Sequence, residues 1–453
     1  MLEDQDTIVA VSTPPGRGGI GVVRVSGARA REVVAPMLRL RHPLAAGRVR
    51  FGAVLDAEGE VLDEVVVTWF VAPHSYTSED VIEIACHGSP VLLDWVLRGC
   101  IGNGARLAEP GEFTRRAFLS GRLDLTQAEA VDDLVQSSTL EQARLAARQM
   151  GGALSRSVAP MKQRLVELIA TLEAGIDFAE DDIDLMPQAE IVQRIGEVEA
   201  ETARLAGTFA YGRVLREGFT LAIVGRPNAG KSSLFNRLLE RERAIVTAAP
   251  GTTRDPISER LSLNGIPVEL IDTAGLRDAP QGIEGEAESQ GIARTRTLMA
   301  EADVVLLVLD ASRYGAVEAL DAEDAAILAE LEGRNAVVAW NKSDLVEGLA
   351  AVNGVATSAL TGEGIDELRR AIVARLAAPV GESALVTSVR QHTALTAALA
   401  ALRAAEAAVT QQTPHEMLLL DLYATLQALD TLTGATTTDD VLALIFSTFC
   451  IGK

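Results

Sequence analysis

The chain has few cysteines and no surplus of positive charge. Its three cysteines, Cys86, Cys100 and Cys450, are odd in number and show no metal-binding spacing, so we expect no disulfides and a reducing compartment. The formal net charge of −22 argues against a simple nucleic-acid binder, because affinity for nucleic acid depends largely on neutralising phosphates. Any RNA contact must therefore use a local basic patch or the surface of a partner.

Signals for export and for membrane insertion are lacking as well. The first residues carry Glu3, Asp4 and Asp6 instead of a basic region followed by an apolar run, which predicts no signal peptide. The longest apolar runs, such as residues 304–309, have the length of a strand and predict no membrane span. We therefore expect a cytoplasmic protein with no membrane partner.

Lysine is scarce, and its positions are informative. Only four of the 41 basic residues are lysines, and two of these, Lys231 and Lys342, lie in the motifs GRPNAGKS and NKSD. A compact ammonium group fits against a crowded phosphate or packs along a base where a planar guanidinium does not. This distribution favours a nucleotide site.

The motif GRPNAGKS, at residues 225–232, matches the phosphate-loop pattern GxxxxGK[ST]. It follows the apolar run 221–224 and opens a run with helical periodicity, which is the context that this motif requires. Backbone N–H groups and the start of the helix would bind the phosphates, Lys231 would add a positive charge, and Ser232 would ligate magnesium.

Two segments follow in the order that a GTPase needs. GTTRD, at residues 251–255, offers a threonine to magnesium and the outermost phosphate, and we favour Thr253 over Thr252. DTAG then places Asp272 near the metal and the Gly275 N–H near the γ-phosphate.

Two later segments predict that the base is guanine. In NKSD, the Asp344 carboxylate can accept two hydrogen bonds from the guanine edge, whereas adenine would leave it unpaired against an acceptor. Ser358, Ala359 and Leu360, in TSALTGEG, would complete the base pocket through backbone groups. Together these motifs predict a guanine-nucleotide site.

One position departs from common GTPase chemistry. Leu276 follows DTAG, where Ras-like enzymes carry a glutamine that orients the attacking water. Because leucine cannot do this, either a partner supplies an arginine or the site uses a further cation. The side-chain carbonyl of Asn228 could ligate a monovalent ion, and the alternative is an amide that stabilises the loop.

The hydrophobic patterning predicts an α/β plus α fold with an inserted domain. Residues 1–120 read as mixed α/β, with strands at 20–25, 49–55, 64–70 and 81–85, a turn at 58–60, and helices at 28–38 and 90–99. Helical periodicity covers residues 125–210 and returns at 391–411 and 417–432. We predict an N-terminal α+β domain (1–120), a discontinuous helical domain (121–217 and 378–453) and a Ras-like P-loop GTPase domain (218–377).

These segments together resemble the MnmE (TrmE) family of tRNA-modification GTPases, which belongs to the TrmE-Era-EngA-like GTPases. The resemblance spans nearly the whole chain and includes segments outside the GTPase domain, which separates it from Der-like and Era-like relatives. The segments are TIVAVSTPPGRGGIGVVRVSG, EPGEFTRRAFLSGRLDLTQAEAVDDL, GRPNAGKSS, VTAAPGTTRD, DTAGLR and the terminal FCIGK.

The resemblance implies that potassium activates GTP hydrolysis and that two G domains of a homodimer complete the site. Potassium would be held by Asn228 and by Thr247, Ala249 and Thr252 of the switch. The residues expected around GTP are Asn228, Ala229, Gly230, Lys231, Ser232, Ser233, Thr247, Ala248, Ala249, Pro250, Gly251, Thr252, Thr253, Asp272, Thr273, Ala274, Gly275, Asn341, Lys342, Ser343, Asp344, Ser358, Ala359 and Leu360.

The family's catalytic glutamate has more than one candidate in the stretch QGIEGEAESQGIAR. The dipeptide Ile283-Glu284 matches the family's usual context, whereas the spacing back from Gly291 favours Glu288. Glu286 lies between them, and the choice between Glu284 and Glu288 stays open.

The resemblance also implies an N-terminal fold similar to tetrahydrofolate-binding domains. Arg24, Glu83 and Arg122 occupy folate-site positions, and Lys453 would reach the same ligand, a 5,10-methylene- or 5-formyl-tetrahydrofolate. At position 122 the family often has lysine, so arginine keeps the charge but changes the geometry. Cys450 is a candidate nucleophile or acid near the one-carbon unit, with a buried apolar thiol as the alternative.

The implied activity is GTP hydrolysis that drives addition of a carboxymethylaminomethyl group to carbon 5 of the wobble uridine of certain tRNAs. The family acts in a heterotetramer with an FAD-dependent partner, MnmG. The alternative function is an Era- or Der-like ribosome-assembly GTPase that acts as a binding switch and transfers no carbon.

Overall fold

The computed structural model describes residues 6–177, 186–239, 260–270, 302–314, 320–347, 349, 353–376, 385–435, 442 and 445–452. The chain consists of two compact units. The first comprises residues 1–132, 150–155 and 429–453, and the second comprises residues 133–149 and 156–428. Because the second unit contains both helices and the nucleotide motifs, the domain boundaries near 121, 218 and 378 remain predictions.

The first unit is built on a seven-stranded sheet with the order β3-β4-β5-β6-β2-β1-β7. All neighbouring strands in this sheet pair antiparallel except β1 and β7, which pair parallel. The strands are β1 (Ile8–Val11), β2 (Gly18–Ser26), β3 (Leu38–Leu40), β4 (Val49–Leu55), β5 (Val61–Phe70), β6 (Val81–Gly88) and β7 (Arg106–Leu107).

Two helices cover one face of this sheet. Alternate residues of each strand point to the same face, so each strand contributes every second side chain to the core beneath these helices. Val23 and Val25 of β2 and Val65 and Val67 of β5 pack in one core with residues of these helices. The helices are α1 (Ala30–Val34) and α2 (Pro90–Gly102), and α3 (Glu112–Leu119) follows β7.

The predicted strands and the second helix of this region are confirmed, but the predicted helix 28–38 is too long. The α-helix ends at Val34, and Pro36 lies in a 3-10 turn that leads into β3. Proline lacks the backbone N–H that helix continuation requires. The pattern also missed the short strands β1, β3 and β7.

A buried ion network fixes α3 next to the start of β1. Glu112 is 1% exposed and accepts hydrogen bonds from Arg106 at 2.7 Å and from Arg116 at 2.9 Å. Arg116 also pairs with Asp6 at 2.7 Å and with Glu79 at 2.9 Å. Burial would raise the pKa of Glu112, but the hydrogen bond from Arg106 and the other charged partners outweigh burial and lower it. This network places Phe113 on the face of the sheet opposite α1 and α2, with Ile8 and Ala10.

Long helices make up most of residues 125–217 and 389–433, as the periodicity predicts. Their bounds are α4 (Leu125–Gln136), α5 (Leu140–Met150), α6 (Ala153–Asp177), α7 (Gln188–Gly207), α8 (Phe209–Glu217), α12 (Val389–Thr410) and α13 (His415–Thr433). A capping box at Ser388 and Gln391 starts α12, since each residue satisfies a backbone N–H of the other.

Among the described residues, α12 is the one helix long and apolar enough to cross a membrane by length and composition, although its uninterrupted apolar runs are only strand-sized. Length and composition alone are weak support for a span, because core helices meet the same test. Its buried positions include Ala394, Ala398, Leu402 and Ala405, which form a stripe at helical spacing, and the helix packs against α7. This arrangement is typical of a core helix.

The second unit contains a six-stranded sheet with the order β13-β12-β11-β8-β10-β9. The strands are β8 (Phe219–Val224), β9 (Arg260–Leu263), β10 (Ile266–Leu270), β11 (Val304–Asp310), β12 (Ala336–Asn341) and β13 (Val355–Ala356), and only β9 runs antiparallel. The helices are α9 (Lys231–Leu239), α10 (Ala322–Glu330) and α11 (Ile365–Ala374). The near-continuous apolar strands fit burial on both faces, which parallel sheets require.

Candidate nucleotide-binding site

The phosphate loop lies at the carboxyl end of β8, which has β10 and β11 as its neighbours. Gly225 has φ +141°, and a Cβ there would lie 2.3 Å from the Val308 carbonyl oxygen. Gly230 has φ +88°, and a Cβ there would lie 2.2 Å from Asn341 Nδ2. Both positions therefore require glycine, since other residues would be strained and would clash. The two glycines therefore let the loop pack closely against β11 and β12.

Lys231, the first residue of α9, places its ammonium group inside this loop. Its Nζ donates hydrogen bonds to the carbonyl oxygens of Gly225 and Arg226, each at 2.7 Å. Burial lowers the pKa of Lys231, because desolvation disfavours the charged ammonium group. A phosphate group would supply the missing negative charge, so the residues present fit an anion.

Asn341, at the end of β12, connects the phosphate loop to the predicted base loop. Its side chain is 1% exposed. Its Nδ2 donates to the Ala229 carbonyl oxygen at 2.9 Å, and its Oδ1 accepts from the Ala359 N–H at 3.1 Å. Both polar ends of the amide are therefore satisfied by the main chain of two predicted GTP-binding segments.

Lys342 follows in the left-handed conformation, with φ +64°. Its Nζ pairs with the Asp310 carboxylate at 2.6 Å. Burial would raise the pKa of Asp310, but the hydrogen bonds from Lys342 and Ser312 outweigh it and lower the pKa. The ion pair holds the aliphatic stem of Lys342 in place at the carboxyl edge of the sheet.

Asp344 is exposed, so its carboxylate is accessible to a nucleotide base. The Ser343 N–H donates to the Thr357 carbonyl oxygen at 3.0 Å, so the NKSD turn is fixed to the segment after β13. Ser358 is fully buried, whereas Leu360 is 79% exposed. The exposed groups of both segments are thus available to a ligand.

The remaining predicted phosphate-loop residues are also placed here. Asn228 is exposed and has φ +64°, and Ala229 is buried. Ser232 and Ser233 lie in the first turn of α9. Next to the loop is an open cavity of about 200 Å³ lined by Arg226, Pro227, Asn228, Ala229, Val308, Asp310, Arg313 and Asp324.

Several predicted site residues lie outside the described residues, and their roles stay predictions. These are Thr247, Ala248, Ala249, Pro250, Gly251, Thr252, Thr253, Asp272, Thr273, Ala274, Gly275, Leu276, Glu284, Glu286, Glu288 and Lys453.

Sequence reasoning missed two residues of this site. Asp310 pairs with Lys342, and Arg237 of α9 donates to the carbonyl oxygens of Ala359 at 3.0 Å and Leu360 at 2.5 Å. A signal existed for Asp310, because it is the polar residue that ends a buried parallel strand. No pattern in the sequence pointed to Arg237.

A second cluster of predicted residues lies in the first unit. Arg24 and Glu83 are cross-strand partners in β2 and β6, and their side chains form an ion pair at 2.8 Å. The Arg24 guanidinium also lies 5.8 Å from the Tyr76 ring centroid and 5.6 Å from that of Phe113. The structure therefore brings Arg24 and Glu83 together in a partly aromatic setting.

The segment before Lys453 reaches the same cluster. The Gly452 carbonyl oxygen accepts hydrogen bonds from Arg24 Nη1 at 3.4 Å and from Ser12 Oγ at 3.2 Å. Ile451 forms an isolated bridge with Pro110. Cys450, two residues before Gly452, is exposed, so the alternative of a buried thiol is wrong.

Arg122 is exposed and lies close enough to Tyr76 to affect its titration. Burial raises the pKa of Tyr76, although the charges of Arg24 and Arg122 oppose this rise. Arg24, Glu83 and the Gly452 carbonyl oxygen thus meet in the first unit, and the charge of Arg122 acts on Tyr76, over whose ring the Arg24 guanidinium lies.

The fold and the first site define a class of protein. A largely parallel sheet with a phosphate loop after β8, and with NKSD at the end of β12, two strands away, is a P-loop guanine-nucleotide-binding domain of the GTPase class.

Comparison with known proteins narrows this class to a family. The family model described as the MnmE helical domain matches residues 125–450, and the one described as the GTP-binding protein TrmE N-terminus matches residues 7–122. The chain is 56% identical to a tRNA modification GTPase MnmE of Koribacter versatilis, covering 99% of each chain. It is 42% identical to that of Aquifex aeolicus, covering 99% of this chain and 100% of the relative. The chain belongs to the MnmE family of tRNA-modification GTPases.

Solved structures add no argument to this assignment. Era from Aquifex aeolicus is 24% identical with a TM-score of 0.27, over 40% of this chain and 66% of that chain.

Proposed function

We propose that this chain is a potassium-activated GTPase that drives modification of the wobble uridine in certain tRNAs. With an FAD-containing partner, it would add a carboxymethylaminomethyl group to carbon 5 of that uridine. The observation that carries the proposal is Asn341, whose amide joins the phosphate loop to the base loop at 2.9 and 3.1 Å. Family membership supplies the tRNA-modification part.

The described residues support GTP binding in defined roles. The loop backbone and Lys231 would hold the phosphates, and Asp344 would read the guanine edge. Ser232 would hold magnesium, which would neutralise charge on the outer phosphates when bound, together with Thr253. In the GTP-bound form, we expect Lys231 Nζ to exchange its two carbonyl acceptors for phosphate oxygens.

Asn228 is the proposed potassium ligand of the phosphate loop, with Thr247, Ala249 and Thr252 from the switch. Its exposed side chain and left-handed backbone leave the amide oxygen accessible beside the loop. A cation here would neutralise the charge that develops on the phosphates during hydrolysis. Glu284 or Glu288 would orient the attacking water.

Potassium should stimulate GTP turnover strongly relative to sodium at equal ionic strength. Asn228→Gly removes the amide oxygen, and glycine adopts a positive φ without strain. Because the variant loses one potassium ligand, we expect it to reduce the potassium stimulation about tenfold. Turnover is measured by phosphate release in matched potassium and sodium buffers.

Asn264→Gly is the matched control, because Asn264 is also an exposed asparagine with positive φ, at 51°, in the β9–β10 turn. It should leave the stimulation unchanged. Equal rates of the unmodified protein in the two buffers would reject the cation proposal and would favour a partner's residue as the substitute for Leu276.

The second part of the proposal is a folate site formed by Arg24, Glu83, Arg122 and Lys453. A pterin ring presents N–H groups that can donate hydrogen bonds to a carboxylate. Glu83 lies on β6 beside Arg24. The aromatic surroundings of Arg24 suit a flat heterocycle. Cys450 would act near the one-carbon unit.

Arg24→Ala should abolish stoichiometric binding of 5-formyl-tetrahydrofolate, measured by equilibrium dialysis, and should leave GTP turnover intact. Glu83→Gln keeps the shape of the side chain and tests the carboxylate separately. Arg29→Ala, which removes an exposed arginine paired with Glu32, is the control and should bind normally. Failure of the unmodified protein to bind the folate would reject the modification chemistry and would favour a ribosome-assembly switch.

The proposed assembly is a homodimer that forms a heterotetramer with the FAD-dependent MnmG and acts on tRNA in the cytoplasm. The homodimer would bring two G domains together to complete each nucleotide site. Membership of the MnmE family supports this proposal.

A further inference from the structure

The region around the β3–β4 hairpin concentrates arginine in an otherwise acidic chain. Residues 29–51 contain six arginines and a single acidic residue, Glu32, whereas the whole chain has a net charge of −22. Glu32 pairs with Arg29 at 3.1 Å. The other five arginines define what we call the basic corner: Arg31, Arg39, Arg41, Arg48 and Arg50.

The basic corner is not neutralised within the described part of the chain. No ion pair there joins a carboxylate to any of its five guanidinium groups. All are exposed except Arg50, which is partly buried and donates to the Pro43 carbonyl oxygen at 2.7 Å. Across the sheet, Ala53 of β4 separates Arg39 from the Glu64 carboxylate, because Ala53 is the register partner of both residues. An external anion would therefore find several unpaired cations at once.

The five arginines lie around the β3 edge of the sheet, with Arg39 and Arg41 on one face and Arg31, beside Trp69, on the other. Arg39 and Arg41 are two residues apart in the extended segment beside β4, so they lie on one face. The Gly47 N–H donates to the Trp69 carbonyl oxygen at 2.8 Å. This contact brings the hairpin loop with Arg48 to the tryptophan that Arg31 covers.

Aromatic rings orient two of the guanidinium groups. Arg41 lies over Phe51 at 4.8 Å, and Arg31 lies over Trp69 at 4.6 Å. Phe51 is 41% exposed. Guanidinium planes and exposed aromatic faces are the surfaces on which unpaired RNA bases stack, and arginine forks match phosphate oxygens.

We propose that the basic corner is the surface of this chain that contacts the phosphate backbone of tRNA. The inference rests on the proposed function, which makes tRNA the substrate. An acidic protein strand is the less favourable occupant, because β3 is a three-residue edge strand flanked by charge, which discourages strand addition. Negative charge over the rest of the chain would direct RNA to this corner.

The test is equilibrium binding of an unmodified tRNA transcript to the full chain at several salt concentrations. Arg39→Ser/Arg41→Ser/Arg48→Ser should weaken binding at least about tenfold at low salt. It should also reduce the slope of log affinity against log salt by about two to three, because each phosphate contact contributes nearly one. GTP turnover should be unchanged.

Two further variants separate the corner from general electrostatics. Arg148→Ser/Arg213→Ser/Arg375→Ser removes the same charge from exposed positions elsewhere and should retain the affinity and the slope. Arg41→Lys keeps the charge but loses the planar stack on Phe51, so the affinity should fall about threefold with an unchanged slope.

Wild-type affinity and slope in the corner variant would overturn the inference, as would an equal loss in the control triple variant. Retained tRNA binding with lost association to MnmG or to a second copy would instead make the corner a protein interface. If the unmodified protein hydrolyses GTP but binds no tRNA, both the inference and the tRNA part of the proposed function fail. If the unmodified protein binds tRNA and the corner variant binds it equally well, the inference fails but the proposed function stands.

Discussion

Lys231→Ala is expected to lower GTP turnover at least about 100-fold, the size of effect seen when one preorganised electrostatic contact to a reacting group is removed. The ammonium now donates to the Gly225 and Arg226 carbonyl oxygens at 2.7 Å, which places it where the outer phosphates would bind. Burial lowers the pKa of Lys231, and a phosphate beside the ammonium group would stabilise its charged form. Phosphate release at saturating GTP measures the effect.

Two variants make this result specific. Lys231→Arg keeps the charge but introduces a planar group that does not fit the loop, so it should not restore turnover. Lys162→Ala removes a lysine from α6, outside the nucleotide motifs, and should behave as the unmodified protein. Wild-type turnover in Lys231→Ala would mean that the loop does not hold the reacting phosphates.

Asp344→Asn should weaken GTP binding at least about 100-fold and reverse the preference toward xanthosine triphosphate. The carboxylate would accept two hydrogen bonds from guanine, each worth about 1.5–3 kcal/mol because one partner is charged. An amide presents an N–H group to the guanine N–H donors, whereas xanthine has a carbonyl at the corresponding position. Competition with a fluorescent nucleotide measures both affinities.

The stability of the protein should not change in this variant, because Asp344 is exposed and surface substitutions usually alter the free energy of unfolding by about 0.5 kcal/mol or less. Glu347→Gln, at a nearby exposed position, is the control and should keep GTP preference. Equal loss of both nucleotides in Asp344→Asn would indicate a disturbed turn and would contradict base recognition by this carboxylate.

Much of the nucleotide site was predictable because its signals are local. A phosphate loop needs glycines and a lysine at set spacing, and Gly225 and Gly230 do occupy backbone conformations that favour glycine. The apolar run 221–224 lies in β8, and the strand-sized run 304–309 lies in β11. The arginines of the basic corner are equally visible in the sequence, but their lack of carboxylate partners among the described residues is not.

Helix bounds near proline and the short strands were harder to predict. The helix from Ala30 ends at Val34 because Pro36 interrupts it, and β1 and β7 are recognisable only through their pairing. Pairing depends on residues far apart in the chain, which no local pattern contains.

The sequence by itself determined that this chain binds a guanine nucleotide, and its segments resemble one family along nearly their whole length. Only the tertiary structure decided how distant groups meet: Asn341 between Ala229 and Ala359, Asp310 against Lys342, and Arg24 against Glu83. The reason is physical. Motif spacing reports local backbone geometry, whereas a buried hydrogen bond or ion pair between remote residues exists only once the sheets have assembled.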